Sequence, residues 1–251
     1  MFDANVAMNF IVNWIREWFE ENGKGCNAVV GISGGKDSSI VAALCVKALG
    51  KERVYGVMMP CDGINNDLET GIDVATYLGI EYSIAPIGGL NGIILNNLKS
   101  FNWYITDQTK INLPARIRMT VLYAISQSIN GRVANTCNLS EDYVGYATKY
   151  GDAAGDFSPL SQYTVTEVRA IGKALGLPDE FVYRAPSDGL CGKTDEDNLG
   201  FTYDVLDKYI RTGVCEDEDI KAKIDDLHEK NKFKLELMQS CPAYGFVDYT
   251  T

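Results

Sequence analysis

Apolar residues recur along the first third of the chain with two alternating periods. Over residues 5–21 they stand three or four positions apart, the spacing of one face of an amphipathic helix. Further on, short runs rich in β-branched and aromatic residues predict strands, and longer apolar segments between them predict helices. The strands are expected at 27–32, 53–59 and 80–86, and the helices at 40–49 and 66–78. This rhythm indicates parallel β-α-β units, so we predict an α/β fold with a doubly wound parallel sheet flanked by helices.

The second half of the chain continues the alternation. Helices are predicted at 113–129, 141–148, 166–175, 197–209 and 217–238, and a fourth strand at 132–137. A Gly- and Asp-rich loop is expected at 151–159, and the polar stretch 185–197 is interpreted as a mobile surface loop. The simplest organisation is a single domain over 1–251, with an α/β core at about 25–190 and a helical C-terminal part at about 195–240.

Composition narrows the class of protein. The 251 residues include 34 Asp and Glu against 23 Lys and Arg, a net charge of −11, which argues against a nucleic-acid binder. No apolar run approaches the ~20 residues that cross a bilayer, and the first residues lack the pattern of a secretory signal, so we expect no membrane association. The seven cysteines form no C-x-x-C pair, which favours free thiols in a reducing cytoplasm.

A single histidine limits the available chemistry. His228 lies in the charged stretch 221–230, which predicts a solvated helix face. One histidine excludes the H-E-x-x-H zinc motif and disfavours Ser-His-Asp and Cys-His catalysis. Carboxylates, cations and backbone dipoles are therefore the groups expected to carry any reaction.

The loop after the first predicted strand has the features of an anion pocket. Residues 33–39 read Ser-Gly-Gly-Lys-Asp-Ser-Ser, at the edge where open parallel sheets bind ligands. Gly34 and Gly35 allow a tight turn with outward N–H groups, and the helix N-terminus adds positive potential. Neither the P-loop nor the dinucleotide fingerprint fits here. Asp37 beside a polyphosphate predicts a bridging divalent cation, whereas the simpler alternative is that Asp37 caps the helix.

This string resembles the S-G-G-x-D-S loop of the N-type ATP pyrophosphatases, which cleave ATP to AMP and pyrophosphate. Within that group the chain resembles the ammonia-dependent NAD synthetases, because further strings occur in the order and spacing of that family. They lie at 112–119, 135–141, 149–156 and 186–190 with 194–196. The resemblance implies a Rossmann-like fold of the ATP pyrophosphatase type, with ATP, deamido-NAD and ammonia as substrates and Mg²⁺ as the metal.

The resemblance also implies ATP and Mg²⁺ contacts. Asp37 and Glu141 match the catalytic carboxylate pair that holds Mg²⁺, although Glu141 could otherwise be a first-turn helix acid. Thr136 and Ser187 match further ATP contacts, although a strand-end threonine is usually a core residue. The positions that match the ATP-binding loop are Ser33, Gly34, Gly35, Lys36, Asp37, Ser38 and Ser39.

Four more positions match the family's contacts with deamido-NAD, namely Arg116, Lys149, Asp156 and Lys234. Without the resemblance, Arg116 would be a helix-surface cation and Lys234 a solvated charge. Asp152 is expected to act in catalysis, either by supporting its loop or by meeting the attacking ammonia.

The chain departs from the family at two positions. Val165 stands where many members have a lysine that contacts ATP, so we expect either that Lys36 or Lys193 supplies that charge or that the affinity for ATP differs. Lys36 is the better candidate because it lies in the anion pocket. Phe233 stands where many members have a histidine, whose role a phenylalanine cannot reproduce.

The implied reaction is the amidation of deamido-NAD to NAD, with ATP converted to AMP and pyrophosphate through an acyl-adenylate. The stretch 185–197 would act as a lid that excludes water. No glutaminase domain is expected, so the ammonia would be free or delivered by a separate partner.

The resemblance further implies a homodimer, for which the apolar positions at 11–19 and 113–129 could supply the interface, although core packing explains them equally well. Two alternatives stay open at this point. One is another adenylating ATP pyrophosphatase, such as a tRNA-thiolating enzyme. The other is a non-catalytic adenine-nucleotide-binding module.

Overall fold

The computed structural model describes residues 2–61, 68–184, 195–236, 238, 240 and 241. Its strands are β1 (Asn27–Gly31), β2 (Val54–Met58), β3 (Glu81–Ile84) and β4 (Gly131–Ala134). Its longer helices are α1 (Ala4–Asn22), α2 (Lys36–Leu49), α3 (Leu68–Leu78), α4 (Gly88–Ser100), α5 (Asp107–Ser128), α7 (Val165–Ala174), α10 (Tyr203–Thr212) and α11 (Glu218–Asn231). Shorter helices are α6 (Leu139–Val144), α8 (Asp179–Val182) and α9 (Asp195–Leu199).

The strands form one parallel sheet in the order β3-β2-β1-β4. Val29 in the middle of β1 pairs with Tyr55 of β2 on one side and with Val133 of β4 on the other. Because all strands run in the same direction, their carboxyl ends meet at one edge, where the loops after β1 and β4 lie side by side. The predicted fold class, a doubly wound parallel sheet flanked by helices, is confirmed.

Each face of the sheet is covered by helices. Ala28 and Val30 belong to the large core that α1, α2, α3 and α7 complete, and both are fully buried. Val29 points to the opposite face and packs with Leu122 of α5. The alternation of side chains along β1 therefore supplies both layers, as expected for a central parallel strand. No helix within the described ranges is both long and apolar enough to cross a membrane.

Helix α6 is fixed from behind by a buried polar network. Asp207 of α10 accepts hydrogen bonds from Ser140 Oγ and from the backbone N–H of Thr166, 2.7 Å away. Ser140 Oγ also accepts from the backbone N–H of Val165 at 3.0 Å. Ser140 and Asp207 are both buried, so these bonds satisfy groups that water does not reach. The network joins α6, α7 and α10 and sets the position of the helix that carries Glu141.

Two helices before β4 differ from the sequence prediction. Helix α4 was not predicted, because its three glycines and its lack of buried side chains hide a helical pattern. Helix α5 begins at Asp107 rather than at 113, and Pro114 lies inside it. The side chain of Thr106 accepts from the backbone N–H of Thr109 and so caps this earlier start.

The C-terminal helices are shorter than predicted. The segment expected as one helix at 197–209 is two helices, α9 and α10, separated at Gly200, whose φ is +78°. Helix α11 ends at Asn231 and continues as a 3₁₀ turn, Lys232–Lys234, so the helix predicted at 217–238 stops early. Of the polar stretch 185–197, residues 185–194 lie outside the described part of the chain.

His228 does not lie on a solvated face, contrary to the sequence prediction. Its ring is half-buried and stacks on the ring of Tyr143 with 4.1 Å between centroids. Its Nδ1 lies 2.8 Å from the carbonyl oxygen of Tyr143. Helix α11 has inward-facing side chains, among them Ile224 and His228, but its many charged residues suggest a solvated face in the sequence. The histidine therefore helps to attach α11 to α6.

Candidate active site

The loop between β1 and α2 is stabilised by hydrogen bonds of its own serine side chains. Gly34 has φ +82°, a conformation that favours glycine. Ser33 Oγ accepts from the backbone N–H of Gly35 at 3.2 Å, and Ser38 Oγ donates to the carbonyl of Gly35 at 3.1 Å. No side chain caps the first turn of α2. The N–H groups of this turn and the helix dipole suit an anion, and the predicted binding of ATP by this loop stays a prediction.

Asp37 faces a partner that is remote in sequence. Its Oδ1 accepts from the side-chain amide of Asn138 at 3.1 Å, and its Oδ2 accepts from Lys36 Nζ at 2.8 Å. Lys36 Nζ also lies 3.9 Å from Oε1 of Glu141. The two carboxylates expected to form the metal pair therefore share one cation at the carboxyl edge of the sheet. The alternative interpretation of Asp37 as a helix cap is wrong.

Glu141 has two tasks. Its backbone N–H donates to Asn138 Oδ1 at 3.1 Å, and its Oε2 accepts from the backbone N–H of Asn138, so the pair forms a capping box at the start of α6. The other carboxylate oxygen faces Lys36. Burial raises the pKa of Glu141 and repulsion from Asp37 raises it further, while Lys36 counters both effects. Glu141 is thus more than a first-turn acid.

Lys36 is one of the most buried charged side chains, with 1% of its surface exposed. Burial lowers its pKa, but the carboxylates of Asp37 and Glu141 outweigh this, so the pKa lies above the ordinary value. Its ammonium also lies 5.8 Å from the centre of the Tyr203 ring. Its charge is thus already neutralised by carboxylates. The expectation that Lys36 supplies positive charge to ATP stays a prediction. The pairing of Lys36 with two carboxylates does not favour it.

Val165 is fully buried against Val144, Leu199 and Phe201 in the small core beneath α6 and α10. The position therefore carries an apolar contact and supplies no charge to the site. Two other sequence-predicted positions, Ser187 and Lys193, lie outside the described residues.

Asn135, directly after β4, organises the neighbouring loop. Its Nδ2 donates to the carbonyls of Asp152 at 2.8 Å and of Ala154 at 3.1 Å, and its Oδ1 accepts from Ser158 Oγ at 3.0 Å. A Cβ at Gly155 would lie 2.8 Å from the backbone nitrogen of Asn135, so only glycine permits this close approach. The loop consequently follows the edge of β4, where Ala134 and Phe157 form an isolated parallel bridge.

The acidic residues of this loop are bound to the scaffold. Asp152 Oδ1 accepts from the backbone N–H of Thr148 at 3.0 Å, and burial raises the pKa of Asp152. Asp156 Oδ2 accepts from the backbone N–H of Val133 at 2.7 Å, and its Oδ1 accepts from Tyr123 Oη at 3.1 Å. Both therefore stabilise the loop. A role for Asp152 in catalysis and a contact of Asp156 with substrate stay predictions.

The predicted deamido-NAD cations lie in one chain of contacts. Arg116 Nε donates to the carbonyl of Lys149 at 3.2 Å, and Lys149 Nζ donates to the carbonyl of Phe233 at 2.5 Å. Lys234 Nζ donates to the carbonyl of Gly145, 2.7 Å away, at the end of α6. Segments more than a hundred residues apart are thus brought together beside the loop that Asn135 organises.

A cavity of about 480 Å³ lies between α6, this loop and the C-terminal turn, and Asp156 and Lys234 both line it. Asp142 also lines it, and Oδ1 of this residue is buried with no hydrogen-bond partner among the described residues. Burial and repulsion from Asp152 raise the pKa of Asp142 to about 7. Thr136 lies close by, half-buried and two residues beyond the end of β4.

Sequence reasoning missed the two asparagines that shape the site. Asn138 is fully buried and touches both Asp37 and Glu141, and Asn135 is 6% exposed. Asn138 had a signal, because Asn followed three residues later by Glu is the spacing of a capping box. No sequence signal pointed to Asn135, because the side-chain amide of this residue bonds to backbone carbonyls 17 and 19 residues away.

Solved structures resemble the whole chain. The NMN synthetase from Francisella tularensis superposes with a TM-score of 0.88 at 30% identity, covering 96% of this chain and 99% of the other. The NH3-dependent NAD synthetase from Campylobacter jejuni superposes with a TM-score of 0.78, also at 30% identity, covering 96% of this chain and 100% of the other. The described fold is thus that of enzymes that make nicotinamide nucleotides.

Sequence comparison agrees with this result. The NH(3)-dependent NAD(+) synthetase of Methanococcus aeolicus is 44% identical over 216 residues, which are 82% of this chain and 80% of the relative. The family model described as NAD synthase matches residues 7–239. The chain therefore belongs to the NAD synthase family.

Proposed function

We propose that the protein amidates deamido-NAD with ammonia, at the expense of ATP, to give NAD, AMP and pyrophosphate. The observation that carries this proposal is the pairing of Asp37 and Glu141 beside the glycine loop at the carboxyl edge of the sheet. This edge is where open α/β sheets bind ligands. The ATP phosphates would lie against the N–H groups of residues 33–39.

The chemistry requires activation of a carboxylate that is a poor electrophile. An oxygen of the nicotinate carboxylate attacks the α-phosphorus of ATP, the bond to the pyrophosphate breaks, and an acyl-adenylate forms. Ammonia then attacks the acyl carbon, AMP leaves and one proton is released. This route needs in-line positioning and neutralised phosphate charge rather than a covalent nucleophile. The β1–α2 loop supplies N–H donors for that purpose.

Asp37 and Glu141 suit Mg²⁺ in their chemistry. Carboxylate oxygens are hard ligands, and Mg²⁺ sites at phosphates commonly use one or two of them with phosphate oxygens and waters. The ammonium of Lys36 already contacts both carboxylates, so the site between them binds one cation, which Mg²⁺ would displace. Mg²⁺ held there would neutralise charge on the leaving pyrophosphate.

The substrate carboxylate would approach from the loop after β4. Arg116, Lys149 and Lys234 provide positive charge there, and Asp152 and Asp156 fix the backbone between them. Asp152 is also the group that we propose meets ammonia, because its carboxylate is held in this loop by the backbone N–H of Thr148. The ammonia would be free or delivered by another protein.

A second candidate substrate follows from the structural comparison. The Francisella enzyme is an NMN synthetase and covers this chain almost completely. The mononucleotide carries the same nicotinate carboxylate as deamido-NAD but lacks the adenylate half. The same activation chemistry would therefore convert nicotinate mononucleotide to NMN.

One assay separates these functions. The protein is incubated with ATP, Mg²⁺ and ammonium, and with either deamido-NAD or nicotinate mononucleotide, and the amide product and pyrophosphate are measured. We expect a higher kcat/KM with deamido-NAD. A higher kcat/KM with nicotinate mononucleotide would instead favour the synthesis of NMN as the function. ATP binding without release of pyrophosphate from either mixture would replace both with a nucleotide-binding module.

We further propose a homodimer, formed through a different surface from the one expected. Ile11 and Ile15 of α1 and Leu122 of α5 are buried inside the subunit, so core packing explains those helices. Exposed large apolar side chains concentrate instead between β3 and the start of α5. They are Tyr82, Ile84, Leu90, Ile93, Ile94, Phe101, Trp103, Tyr104 and Ile111.

An edge strand beside an apolar helix is a surface that usually requires a partner, and a second copy is the partner that we propose. Light scattering on Ile93→Glu should then give the mass of a monomer. Phe10→Glu, which changes an equally exposed residue of α1, should remain a dimer. A monomeric wild-type protein would contradict this proposal without affecting the catalytic one.

A further inference from the structure

Arg169 is a cation whose contacts are incomplete. It lies on α7, one helical turn after Val165, and its Nε is buried without a hydrogen-bond partner in the part of the chain that the structure describes. Buried donors are nearly always paired in folded proteins, and an arginine N–H is a strong donor. The arrangement therefore indicates an acceptor that the folded chain does not itself provide.

Two acidic side chains that lie at the start of α7 are already bound to other partners. Glu167 accepts from Arg211 Nε at 2.8 Å and from the backbone N–H of Thr164 at 2.9 Å. Asp207 accepts from Ser140 and from the backbone N–H of Thr166. Arg169 is thus left with a positive charge that these internal ion pairs do not neutralise.

The position of α7 places this charge beside the anion loop. Helix α7 packs on α2 so closely that a Cβ at Gly172 would lie 2.8 Å from Ile40 Cδ1. One turn earlier on both helices, Arg169 lies close enough to Lys36 for their positive charges to repel each other. Long helical side chains lean toward the N-terminus of their helix. The N-terminus of α7, like that of α2, lies toward the carboxyl edge of the sheet, because Val165 and Ser140 are hydrogen-bonded there.

Among the described residues, Lys36 and position 165 are poorly suited to supply charge to a triphosphate at this point, and Lys193 lies outside those residues. The ammonium of Lys36 is buried between Asp37 and Glu141, and position 165 holds a valine in an apolar core. A planar guanidinium presents several donors and matches phosphate oxygens in pairs. We propose that Arg169 contacts the triphosphate of ATP, supplying from the next turn of α7 the charge that Val165 cannot. This inference rests on the proposed use of ATP.

The test compares ligands that differ in their phosphates. Dissociation constants for ATP and AMP are measured by calorimetry on Arg169→Met, Arg169→Lys and the wild-type protein. Arg169→Met should weaken ATP about tenfold or more while changing AMP less than about twofold, because a charge-assisted phosphate contact is lost. Arg169→Lys keeps the charge without the paired donors, so its loss should be smaller. Lys173→Met, on the exposed side of the same helix and paired with Asp179, is the matched control.

Each other outcome has a definite meaning. Unchanged ATP affinity in Arg169→Met overturns the inference, and so does an equal weakening of ATP and AMP, which would indicate a structural role. If Arg169→Met does not fold, Arg169→Lys decides by the same ratio of ATP to AMP affinity. A wild-type protein that does not bind ATP refutes the proposed function itself, a result distinct from failure of Arg169 alone.

Discussion

Two neighbouring residues of α6 show two ways of burying a carboxylate. Glu141 faces Asp37, and the ammonium of Lys36 contacts both side chains. Asp142, one position later, lines the cavity near Asp152, and its Oδ1 has no hydrogen-bond partner among the described residues. The first pair contains a cation contributed by the protein. In the second pair Lys234 acts on Asp152, but no cation among the described residues offsets the charge of Asp142, which is reduced by a proton instead.

The difference shows how one short helix separates two kinds of chemistry. Where a cation is built in, the carboxylates can remain near each other as ligands for a metal. Where it is absent, burial and repulsion raise the pKa of Asp142 to about 7, so that carboxyl is partly protonated at neutral pH. If this contrast is correct, substitutions at the first pair should change turnover and the response to Mg²⁺, whereas substitution of Asp142 should change how stability depends on pH.

Asp37→Asn should have the largest effect. Asparagine keeps the shape and an acceptor oxygen for Lys36, but it removes a negative charge that we assign to the metal site. Turnover should fall by ~10²-fold or more, because charge stabilisation at the leaving pyrophosphate is weakened. NAD formation is measured at saturating ATP, and circular dichroism confirms the fold. The exposed Asp73→Asn on α3 should retain wild-type turnover, and a wild-type kcat in Asp37→Asn would contradict the assignment.

Lys36→Met should have a smaller effect, mainly on stability. It leaves Asp37 and Glu141 opposite each other without a cation, so the metal-free protein should melt lower by a Tm difference on the order of 5 °C. Added Mg²⁺ should recover much of that loss and should raise the Tm of the wild-type protein less. Thermal melts with and without Mg²⁺ measure both quantities.

The matched control is Lys47→Met in the last turn of α2, where the lysine is exposed. Its Tm should stay near that of the wild type, and Mg²⁺ should shift both equally. An equal response to Mg²⁺ in Lys36→Met and in the wild type would show that the lysine and the metal do not share one space.

Asp142→Asn should have the smallest effect, and that effect should depend on pH. The unfolded chain releases this proton near pH 3.8, whereas the folded protein holds it to about pH 7. Between these values the unfolded state binds fewer protons, so the free energy of unfolding falls as pH rises. The substitution removes this penalty. Its Tm should match the wild type near pH 4 and exceed it by a margin that grows as the pH rises to about 7 and then levels off.

Melts of both proteins across that range provide the test. Asp204→Asn, at an exposed position of α10, should give a Tm difference that does not grow with pH. A constant difference in Asp142→Asn, or one that shrinks as pH rises, would show that the buried carboxyl does not titrate near neutrality.

The sheet and the helices that cover it were predictable because their signals are local. The strand at 27–32 and the helix ending at Gly50 follow from runs of side chains that face one core. Helix α4 was not predictable in this way, since it buries no side chain and contains three glycines. The break at Gly200 also depends on tertiary packing, which decides whether a glycine interrupts a helix or lies within it.

The residues of the candidate site were predictable where they belong to a recognisable sequence motif. The loop at 33–39 followed from its own residues, whereas the pairing of Asp37 with Glu141 came from the family resemblance, and the structure brings these two carboxylates to one lysine. Their partners were less accessible to sequence reasoning. Lys36 looked like a phosphate ligand because it lies in the loop, yet its side chain turns back to two carboxylates, one of them about a hundred residues away. Only the folded chain reveals that pairing.

Gly145 lies at the end of α6 with φ +66°, and a Cβ there would lie 2.0 Å from the Cβ of Asn231. A single added methyl group would therefore separate α11 from α6 and withdraw the lysine that follows that helix from the Gly145 carbonyl. The C-terminal segment keeps its register only because one position in the middle of the chain has no side chain. If Lys234 contacts deamido-NAD as we propose, sequence variation at 145 would alter substrate affinity without changing any of the proposed substrate-binding side chains.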